Sequence, residues 1–391
     1  MRSSGVVVLL VCFCVVLVYP ILGATTLRQL TTDPANDTAP AWSPDGKVIA
    51  FLSSRDAGEA WQNCLWEMSP TGTSQRELAH VIVTTPLEWR DPGLSQPKWL
   101  GRTGDLLILD QQHYSEVMRF RLSAAKSLPT TRSVQDGESD SFTRLLFVPG
   151  GLAGDAAVTN SDGTAIAWTD TLDNARTRCE VRYWEGSLDS SIGNTDQAGR
   201  VLLRASQAQW ESTLAFSPDG KQLCATVAVE GWESGQGRDL YIIDLATGAV
   251  RRLTQTGDQG TDNSHVAWST AGWIAFSAGP RDTSGPLPRH DLYCIKPDGT
   301  GLTRLTSTPW DETVPSWSPD GSELAFASNK AGNYDIYVAH FDRGPSLIEG
   351  PEVAADSAHG STAWQSNWLM LLGGIAILAL LLLAVRSMTN M

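Results

Sequence analysis

The chain has 391 residues, of which 42% are hydrophobic and 18% charged, so collagen-like and intrinsically disordered proteins are excluded. Acidic residues outnumber basic ones by 43 to 29, and the net charge of -14 excludes a protein that binds nucleic acid through basic patches. Six Cys in so long a chain exclude a disulfide scaffold. A large, acidic protein with 15 Trp remains.

The N-terminus predicts a secretory signal over residues 1–24. Arg2 supplies a positive charge, residues 5–18 form an apolar run, and Gly23 and Ala24 offer small residues for cleavage. The alternative is an uncleaved N-terminal anchor. We therefore expect the body of the protein on the extracytoplasmic side.

The body of the chain repeats one short motif. Trp42 is followed by Ser-Pro-Asp-Gly, and the same four residues follow Phe216 and Trp317. Three weaker copies bring the number to six, because their final glycines recur at similar intervals. The six final glycines are residues 46, 104, 163, 220, 272 and 321.

Each copy lies among short apolar segments that predict four strands. Ile49–Phe51 is typical of the strand after the turn, Asp335–Tyr337 of the third strand, and Arg251–Thr254 of the fourth. An Asp-Gly pair between alternating apolar strands is a strong hairpin signal. Six such units of about 50 residues predict an all-β fold, a six-bladed β-propeller over residues 25–342.

The last repeat lacks its fourth strand, because the chain after Val338 becomes rich in Gly, Pro, Ser and Ala. The segment Leu27–Thr31 matches Arg251–Thr254 and precedes the first repeat. We predict that this N-terminal strand completes the sixth blade, closes the ring and removes an exposed sheet edge.

These repeats resemble the TolB-like six-bladed propeller family over about residues 25–342, on the strength of the three Ser-Pro-Asp-Gly turns. The copies ending at Gly104, Gly163 and Gly272 depart from that pattern. Nothing in the chain matches the additional N-terminal domain of TolB. The resemblance implies a propeller that acts in recognition, and the role of TolB in an envelope complex is not carried over.

The C-terminal region predicts a membrane anchor. Residues 343–367 read as a flexible linker, residues 368–385 are uncharged and long enough for one transmembrane helix, and residues 386–391 form a cytoplasmic tail. Trp368 and Arg386 flank the apolar segment as interface residues do. A single-pass protein of the cell membrane follows, with a lipid-anchor exchange signal or a sortase-type tail as alternatives.

Recognisable catalytic and metal-binding motifs are absent from the sequence, and we predict no cofactor and no metal. The six His have no metal-ligand spacing. Cys224 occupies a small, buried position of its repeat, which favours packing. Cys179 and Cys224 lie in adjacent repeats and are the one pair to test for a disulfide.

A ring of polar residues is predicted at the mouth of the propeller channel. Counting five residues back from the Trp or Phe of each turn motif gives a polar residue in four repeats, and a further carboxylate lies beside the last of these. These ligand-binding candidates are Asp37, Glu211, Asn263, Glu312 and Asp311. Such a ring would attract basic groups. The alternative is that these residues cap loops or bond the backbone of neighbouring blades.

Five Trp lie beside acidic residues in the predicted loops of the same face. They are Trp61, Trp89, Trp210, Trp232 and Trp310. Exposed Trp is enriched at recognition sites, and beside carboxylates it suits cationic groups or sugars. The alternative is that these Trp form local cores under long loops. Trp42, Trp99, Trp268 and Trp317 are instead assigned to packing between blades.

Two functions follow from these patterns. The first is a monomeric binding protein that recognises a peptide or protein partner through the acidic, Trp-rich mouth of the channel, and it is favoured over catalysis. The alternative is a carbohydrate-binding or carbohydrate-active propeller that uses a pair of channel carboxylates.

Overall fold

The structure is a computed structural model. It describes residues 26–55, 64–79, 96–101, 104–110, 116–120, 142–147, 153–171, 178–186, 199–206, 213–227, 237–280, 289–342, 344–346 and 348. The predicted signal 1–24, transmembrane segment 368–385 and tail 386–391 lie outside these residues.

The strands of the described chain form six sheets of four strands, and every pairing is antiparallel. Each sheet is called a blade. Five blades are built from four consecutive strands, and the sixth combines the last three strands with the first.

The bounds of the first three blades are as follows. Blade one contains β2 (Asp37–Trp42), β3 (Ile49–Ser53), β4 (Cys64–Met68) and β5 (Arg76–Ala79). Blade two contains β6 (Lys98–Leu100), β7 (Asp105–Asp110), β8 (Glu116–Phe120) and β9 (Phe142–Phe147). Blade three contains β10 (Ala153–Thr159), β11 (Ala165–Thr171), β12 (Arg178–Glu185) and β13 (Arg200–Ser206).

The other three blades follow in chain order. Blade four contains β14 (Leu214–Phe216), β15 (Gln222–Val227), β16 (Asp239–Asp244) and β17 (Val250–Arg252). Blade five contains β18 (Thr261–Trp268), β19 (Ile274–Pro280), β20 (Asp291–Ile295) and β21 (Thr303–Arg304). Blade six contains β22 (Glu312–Trp317), β23 (Glu323–Ser328), β24 (Asp335–His340) and β1 (Thr26–Gln29).

The blades are arranged in a ring. The first strands of consecutive blades (β2, β6, β10, β14, β18 and β22) contact one another in that order, and β22 contacts β2. These six inner strands surround the central channel. The end of the ring at which they begin is called the rim.

The first strand of the chain is part of the last sheet. β1 pairs with β24, with Leu27 opposite Ala339 and Gln29 opposite Tyr337. Arg28 also forms an ion pair with Glu323, at 3.0 Å between Nη2 and Oε1. The two ends of the described propeller are therefore held in one sheet.

Apolar clusters fill the spaces between adjacent blades. Phe51 and Met68 of blade one pack with Ile336 of blade six in one such cluster. Because strands buried on both faces need apolar residues throughout, β3 is buried at all five positions. Trp42 and Trp317 are buried, and Trp99 Nε1 donates to Ala41 O of the neighbouring blade at 3.0 Å, which confirms a packing role.

The Ser-Pro-Asp-Gly segments form tight turns at the end of the ring opposite the rim. Ser43 Oγ donates to Asp45 Oδ1 at 2.8 Å and accepts the backbone N–H of Lys47 and Val48, each at 3.1 Å. Gly46 has φ +69°, a backbone conformation that side chains other than that of glycine rarely adopt. The Ser and Asp of the motif therefore hold the turn, and the Gly permits it.

The predicted C-terminal transmembrane helix requires a correction. The described residues include the short 3₁₀ helix Gly257–Gln259, and none of their helices is long and apolar enough to cross a membrane.

The start of the predicted flexible linker packs against the propeller at Ile348. Ile348 is 4% exposed, and its N–H donates to Leu305 O of blade five at 2.6 Å. It packs with Trp317 and Phe341 in the cluster between blades five and six. The chain therefore remains part of the propeller beyond residue 343, because an apolar side chain in the Gly- and Pro-rich segment is buried.

Candidate functional site

The described members of the predicted polar ring lie at the rim and are buried. Asp37, Asn263 and Glu312 occupy equivalent positions near the start of inner strands, and their exposed fractions are 0%, 1% and 2%. Asp311 is 5% exposed, whereas Trp310 is half-buried. The remaining predicted site residues lie outside the described residues; they are Glu211, Trp61, Trp89, Trp210 and Trp232.

The backbone of these ring residues bonds the preceding blade. Each N–H donates to the carbonyl of the residue that directly precedes the third strand of that blade. The three pairs are Asp37 to Tyr334 at 2.7 Å, Asn263 to Arg238 at 3.3 Å and Glu312 to His290 at 2.9 Å. The rim position therefore serves to join one blade to the next.

A second bond runs in the opposite direction at each of these three interfaces. The side chain that precedes each ring residue accepts the backbone N–H of the same partner. Asn36 Oδ1 accepts from Tyr334 at 3.1 Å, Asp262 Oδ1 from Arg238 at 3.0 Å and Asp311 Oδ1 from His290 at 2.7 Å. We call this reciprocal pair of hydrogen bonds the rim clasp.

The side chains of the partners strengthen two of the clasps. Arg238 Nε donates to Asp262 Oδ1 at 2.7 Å, and Arg238 Nη2 pairs with Asp262 Oδ2. His290 Nδ1 lies 2.9 Å from Asp311 Oδ1, while Tyr334 donates its hydroxyl to Asp311 Oδ2 at 2.5 Å. The Asp311 carboxylate thus accepts two hydrogen bonds from His290 of blade five and one from Tyr334 of its own blade.

In three blades, a threonine next to the fourth strand forms hydrogen bonds with the start of the third strand. Its hydroxyl donates to the Asp that begins the third strand and accepts the N–H of the next residue. The hydroxyl-to-carboxylate distances are 3.1 Å for Thr31 with Asp335, 2.6 Å for Thr254 with Asp239 and 3.5 Å for Thr306 with Asp291. The accepted N–H groups belong to Ile336, Leu240 and Leu292, at 2.9, 3.0 and 2.8 Å.

The charge of Asp37 is balanced by one arginine. Arg55 Nη2 lies 2.5 Å from Asp37 Oδ2, and the Arg55 guanidinium lies 4.8 Å from the centre of the Trp66 ring. Burial raises the pKa of Asp37 above its usual value, although hydrogen bonds from Ser53 and the charge of Arg55 oppose it. Asp37 is thus committed to an internal ion pair.

The two carboxylates at the start of β22 have opposite electrostatic environments. For Asp311, burial would raise the pKa, but the hydrogen bonds and charge of His290 and the hydroxyl of Tyr334 outweigh it and lower the pKa. For Glu312, burial and the charges of Asp291 and Asp311 raise the pKa to about 7. Thr308 donates to Glu312 Oε1 at 2.5 Å, whereas Glu312 Oε2 is buried without a hydrogen-bond partner among the described residues.

Three inner strands bulge two residues after the ring position. Ala39, His265 and Val314 have φ of +53°, +51° and +53°, and the strand register shifts at these points. The bulges interrupt regular pairing and redirect the side chains that follow. His265 Nδ1 there lies 3.1 Å from Thr313 Oγ1, across the interface between blades five and six.

The described part of the chain contains four cysteines and its possible metal ligands are dispersed. Its His, Cys, Asp and Glu side chains form no group of three or more that could hold a metal ion. Cys64, Cys179, Cys224 and Cys294 are buried thiols in the described part of the chain, including the pair to be tested for a disulfide. Burial raises the pKa of the Cys224 thiol, so this side chain is a packing group.

The sequence predicted the ring positions but missed the clasp. The missing partners are Tyr334, Arg238 and His290, which precede the third strands. One sequence signal pointed to this edge of the blades. In three repeats, a Leu-Thr pair at the fourth strand occurs together with an Asp-apolar-Tyr segment at the third strand.

Sequence comparison finds several relatives, although no known family profile matches the chain. A TolB homolog of Chlorobium luteolum is 37% identical over 132 residues, which is 34% of this chain and 27% of that protein. The Tol-Pal system protein TolB of Zymomonas mobilis is 42% identical over 65 residues, 17% of this chain and 13% of that one. The chain thus spans about a quarter or less of these two relatives. An uncharacterized protein of Agrobacterium fabrum is 23% identical over 63% of this chain and 70% of its own length.

Comparison with solved structures finds similarity to proteins that include the following two. A putative TolB from Agrobacterium tumefaciens is 17% identical with a TM-score of 0.44, covering 82% of this chain and 87% of that one. TolB from Acinetobacter baumannii is 18% identical with a TM-score of 0.48, covering 77% and 65%.

Four-stranded antiparallel sheets arranged in a ring define a β-propeller, and a rim clasp joins the sheets at three interfaces. The relatives among known sequences support a TolB-like β-propeller.

Proposed function

We propose that this protein is a binding scaffold that recognises a protein or peptide partner at its rim. TolB-like relatives support a protein-binding scaffold in a general sense. The clasps support a rigid rim, because each joins two blades by reciprocal hydrogen bonds. A rigid surface loses little conformational entropy on binding.

The observation that carries the proposal is the position of Trp310. The Thr308 hydroxyl accepts the backbone N–H of Trp310 at 3.1 Å and donates to Glu312 Oε1 at 2.5 Å, so one threonine links the Trp310 backbone to the start of β22. The indole is half-buried and lies next to the Asp311 clasp. A partly exposed Trp provides large contact area at low entropic cost.

Charge favours a partner with basic groups. The chain carries a net charge of -14, and a Trp ring attracts Lys or Arg side chains by cation–π interaction. The carbohydrate-active alternative is not favoured, because Asp37, Asp311 and Glu312 are nearly inaccessible and engaged with other residues of the protein.

The test is capture of a partner with the full chain as bait, followed by affinity measurement with the purified partner. Trp310→Ala is expected to weaken binding by about tenfold or more, as for a central aromatic contact. Trp273→Ala is the matched control, because Trp273 is also half-buried but lies in the turn before β19, at the opposite end of the ring. Equal affinities of the two variants would contradict a binding site at Trp310.

A further inference from the structure

Three leucines have equivalent places in blades four, five and six. Each directly follows the outermost strand of its blade, and its N–H donates to the carbonyl of the second residue of the third strand. The three bonds join Leu30 to Ile336, Leu253 to Leu240 and Leu305 to Leu292, and each is 2.7 Å long. The carbonyl groups of the three leucines are therefore equivalent as well.

Two of these three carbonyl groups accept a hydrogen bond. Leu30 O accepts the side-chain amide of Gln75 from blade one at 3.2 Å, and Leu305 O accepts the backbone N–H of Ile348 at 2.6 Å. Leu253 O accepts no hydrogen bond from the residues that the structure describes. The carbonyl group of blade four is thus the exception.

The sequence explains this exception. Gln75 lies directly before the fourth strand of blade one, three residues after Gly72. Leu302 has the same place in blade five, directly before the fourth strand and three residues after Gly299. A leucine side chain has no group to donate, so Leu302 cannot form the bond that Gln75 forms with the preceding blade.

The interface between blades four and five is also covered less tightly than the next two interfaces. A Cβ atom added at Gly72 would lie 2.6 Å from Leu30 O, whereas one added at Gly299 would lie 4.0 Å from its nearest neighbour, Leu253 Cδ1. Leu30 and Leu305 are 6% and 0% exposed, but Leu253 is half-buried. The turn of blade five therefore leaves Leu253 partly open.

Apolar side chains are exposed at the same interface. Leu302 and Val250, at the start of β17, are the two exposed large hydrophobic residues of the described chain. Trp268 ends the inner strand of blade five and is half-buried, whereas Trp42 and Trp317 are buried at the equivalent places in blades one and six. Exposed apolar surface beside an unpaired carbonyl group is a feature of surfaces that bind another chain.

Ile348 shows which group covers the equivalent carbonyl of blade five. Its N–H bonds Leu305 O, and its side chain is 4% exposed and packs in one cluster with Leu305 and Trp317. One aliphatic residue thus supplies both the hydrogen-bond donor and the apolar contact. Leu253 and Trp268 offer the same two partners between blades four and five, since both pack against the cluster between those blades.

We propose that the groove between blades four and five, lined by Val250, Leu253, Trp268 and Leu302, binds a peptide segment of a partner protein through one aliphatic residue. The backbone N–H of that residue bonds Leu253 O, and its side chain covers Leu253 and Trp268. Recognition of an extended chain by a backbone hydrogen bond and a side-chain contact is a common mode of peptide binding. The groove is separate from Trp310, so it can bind a peptide whether or not the rim binds a protein.

The test measures fluorescence anisotropy of a labelled peptide that has the sequence of residues 344–350 and therefore carries the residue that covers Leu305 O. The full wild-type chain is expected to bind this peptide. A second peptide carries an N-methyl group on the isoleucine nitrogen, which cannot donate to Leu253 O. It is expected to bind about tenfold more weakly.

Leu302→Gln places in blade five the residue that blade one has at this position. Its amide should bond Leu253 O as Gln75 bonds Leu30 O, and the affinity for the first peptide should fall by about tenfold or more. Ala331→Gln is the matched control and should bind like the wild type, because it adds the same side chain at an exposed position in the loop between β23 and β24.

Three results would overturn the groove as a binding site. They are no binding of the first peptide to the wild type, equal affinity for the two peptides, and equal affinity of Leu302→Gln and Ala331→Gln for the first peptide. The last result would follow if the peptide displaced Ile348 from blade five instead. The comparison of the two peptides uses the wild type alone, so it decides the proposal even if a variant fails to fold.

Discussion

At the residue scale, Glu312 combines burial with an unsatisfied carboxylate oxygen. The side chain is 2% exposed, Thr308 bonds Oε1, and Oε2 has no hydrogen-bond partner among the described residues. Burial raises its pKa from 4.5 to about 7, so the folded protein holds a proton that the unfolded chain releases. Between these values the free energy of unfolding therefore falls as the pH rises.

We predict that Glu312→Gln removes this pH dependence. A neutral amide keeps an oxygen for Thr308 and has no charge to desolvate. Above pH 7 the variant should be more stable than the wild type by up to about 3 kcal/mol, and near pH 4 the two should be similar. Chemical denaturation at several pH values measures this, and parallel curves for the two proteins would contradict the prediction.

At the element scale, one threonine in each of three blades links the third strand to the fourth. Thr31 is fully buried, donates to Asp335 and accepts the N–H of Ile336, although these partners lie more than 300 residues away. Removing one hydroxyl leaves a buried carboxylate and a buried N–H with fewer partners, which is more costly than the loss of one hydrogen bond in water.

Thr31→Val is therefore expected to destabilise the protein by about 1–3 kcal/mol. Thr32→Val is the matched control, because Thr32 is the next residue and is exposed, and its effect should stay within about 0.5 kcal/mol. Equilibrium unfolding in urea compares them. Similar losses in both variants would show that the bonds of Thr31 contribute little.

At the scale of the whole molecule, stability depends on the strand shared between the two ends of the ring. β1 covers the edge of β24, Leu27 packs against the cluster between blades five and six, and Leu30 is buried between blades six and one. Without these residues the apolar clusters lose their cover and β24 has an open edge.

Deletion of residues 26–31 from the full chain should lower the Tm by about 10 °C or more, since several kcal/mol of burial and hydrogen bonding are lost. Deletion of six residues at the C-terminus, 386–391, is the control and should leave the Tm of the propeller unchanged. Scanning calorimetry measures both, and an unchanged Tm after the N-terminal deletion would refute a structural role for β1.

Features that depend on neighbours in sequence could be predicted, whereas features that depend on contacts with residues far away in sequence could not. The turn at Ser43 could be read from sequence because its hydrogen bonds lie within five residues. The buried state of Asp37 could not, because its partners Tyr334 and Arg55 lie 297 and 18 residues away, next to other strands. Ile348 was missed for the same reason: composition predicts flexibility, whereas a neighbouring blade decides burial.

The pairing of β1 with β24 has a consequence for synthesis of the chain. Leu27 emerges from the ribosome more than 300 residues before its partner Ala339. At roughly 5–20 residues per second, the N-terminal strand waits about 15–60 s for its sheet. During that time Leu27 and Leu30 lack the neighbours that later bury them, so closure of the ring is a late event that follows translation of blade six.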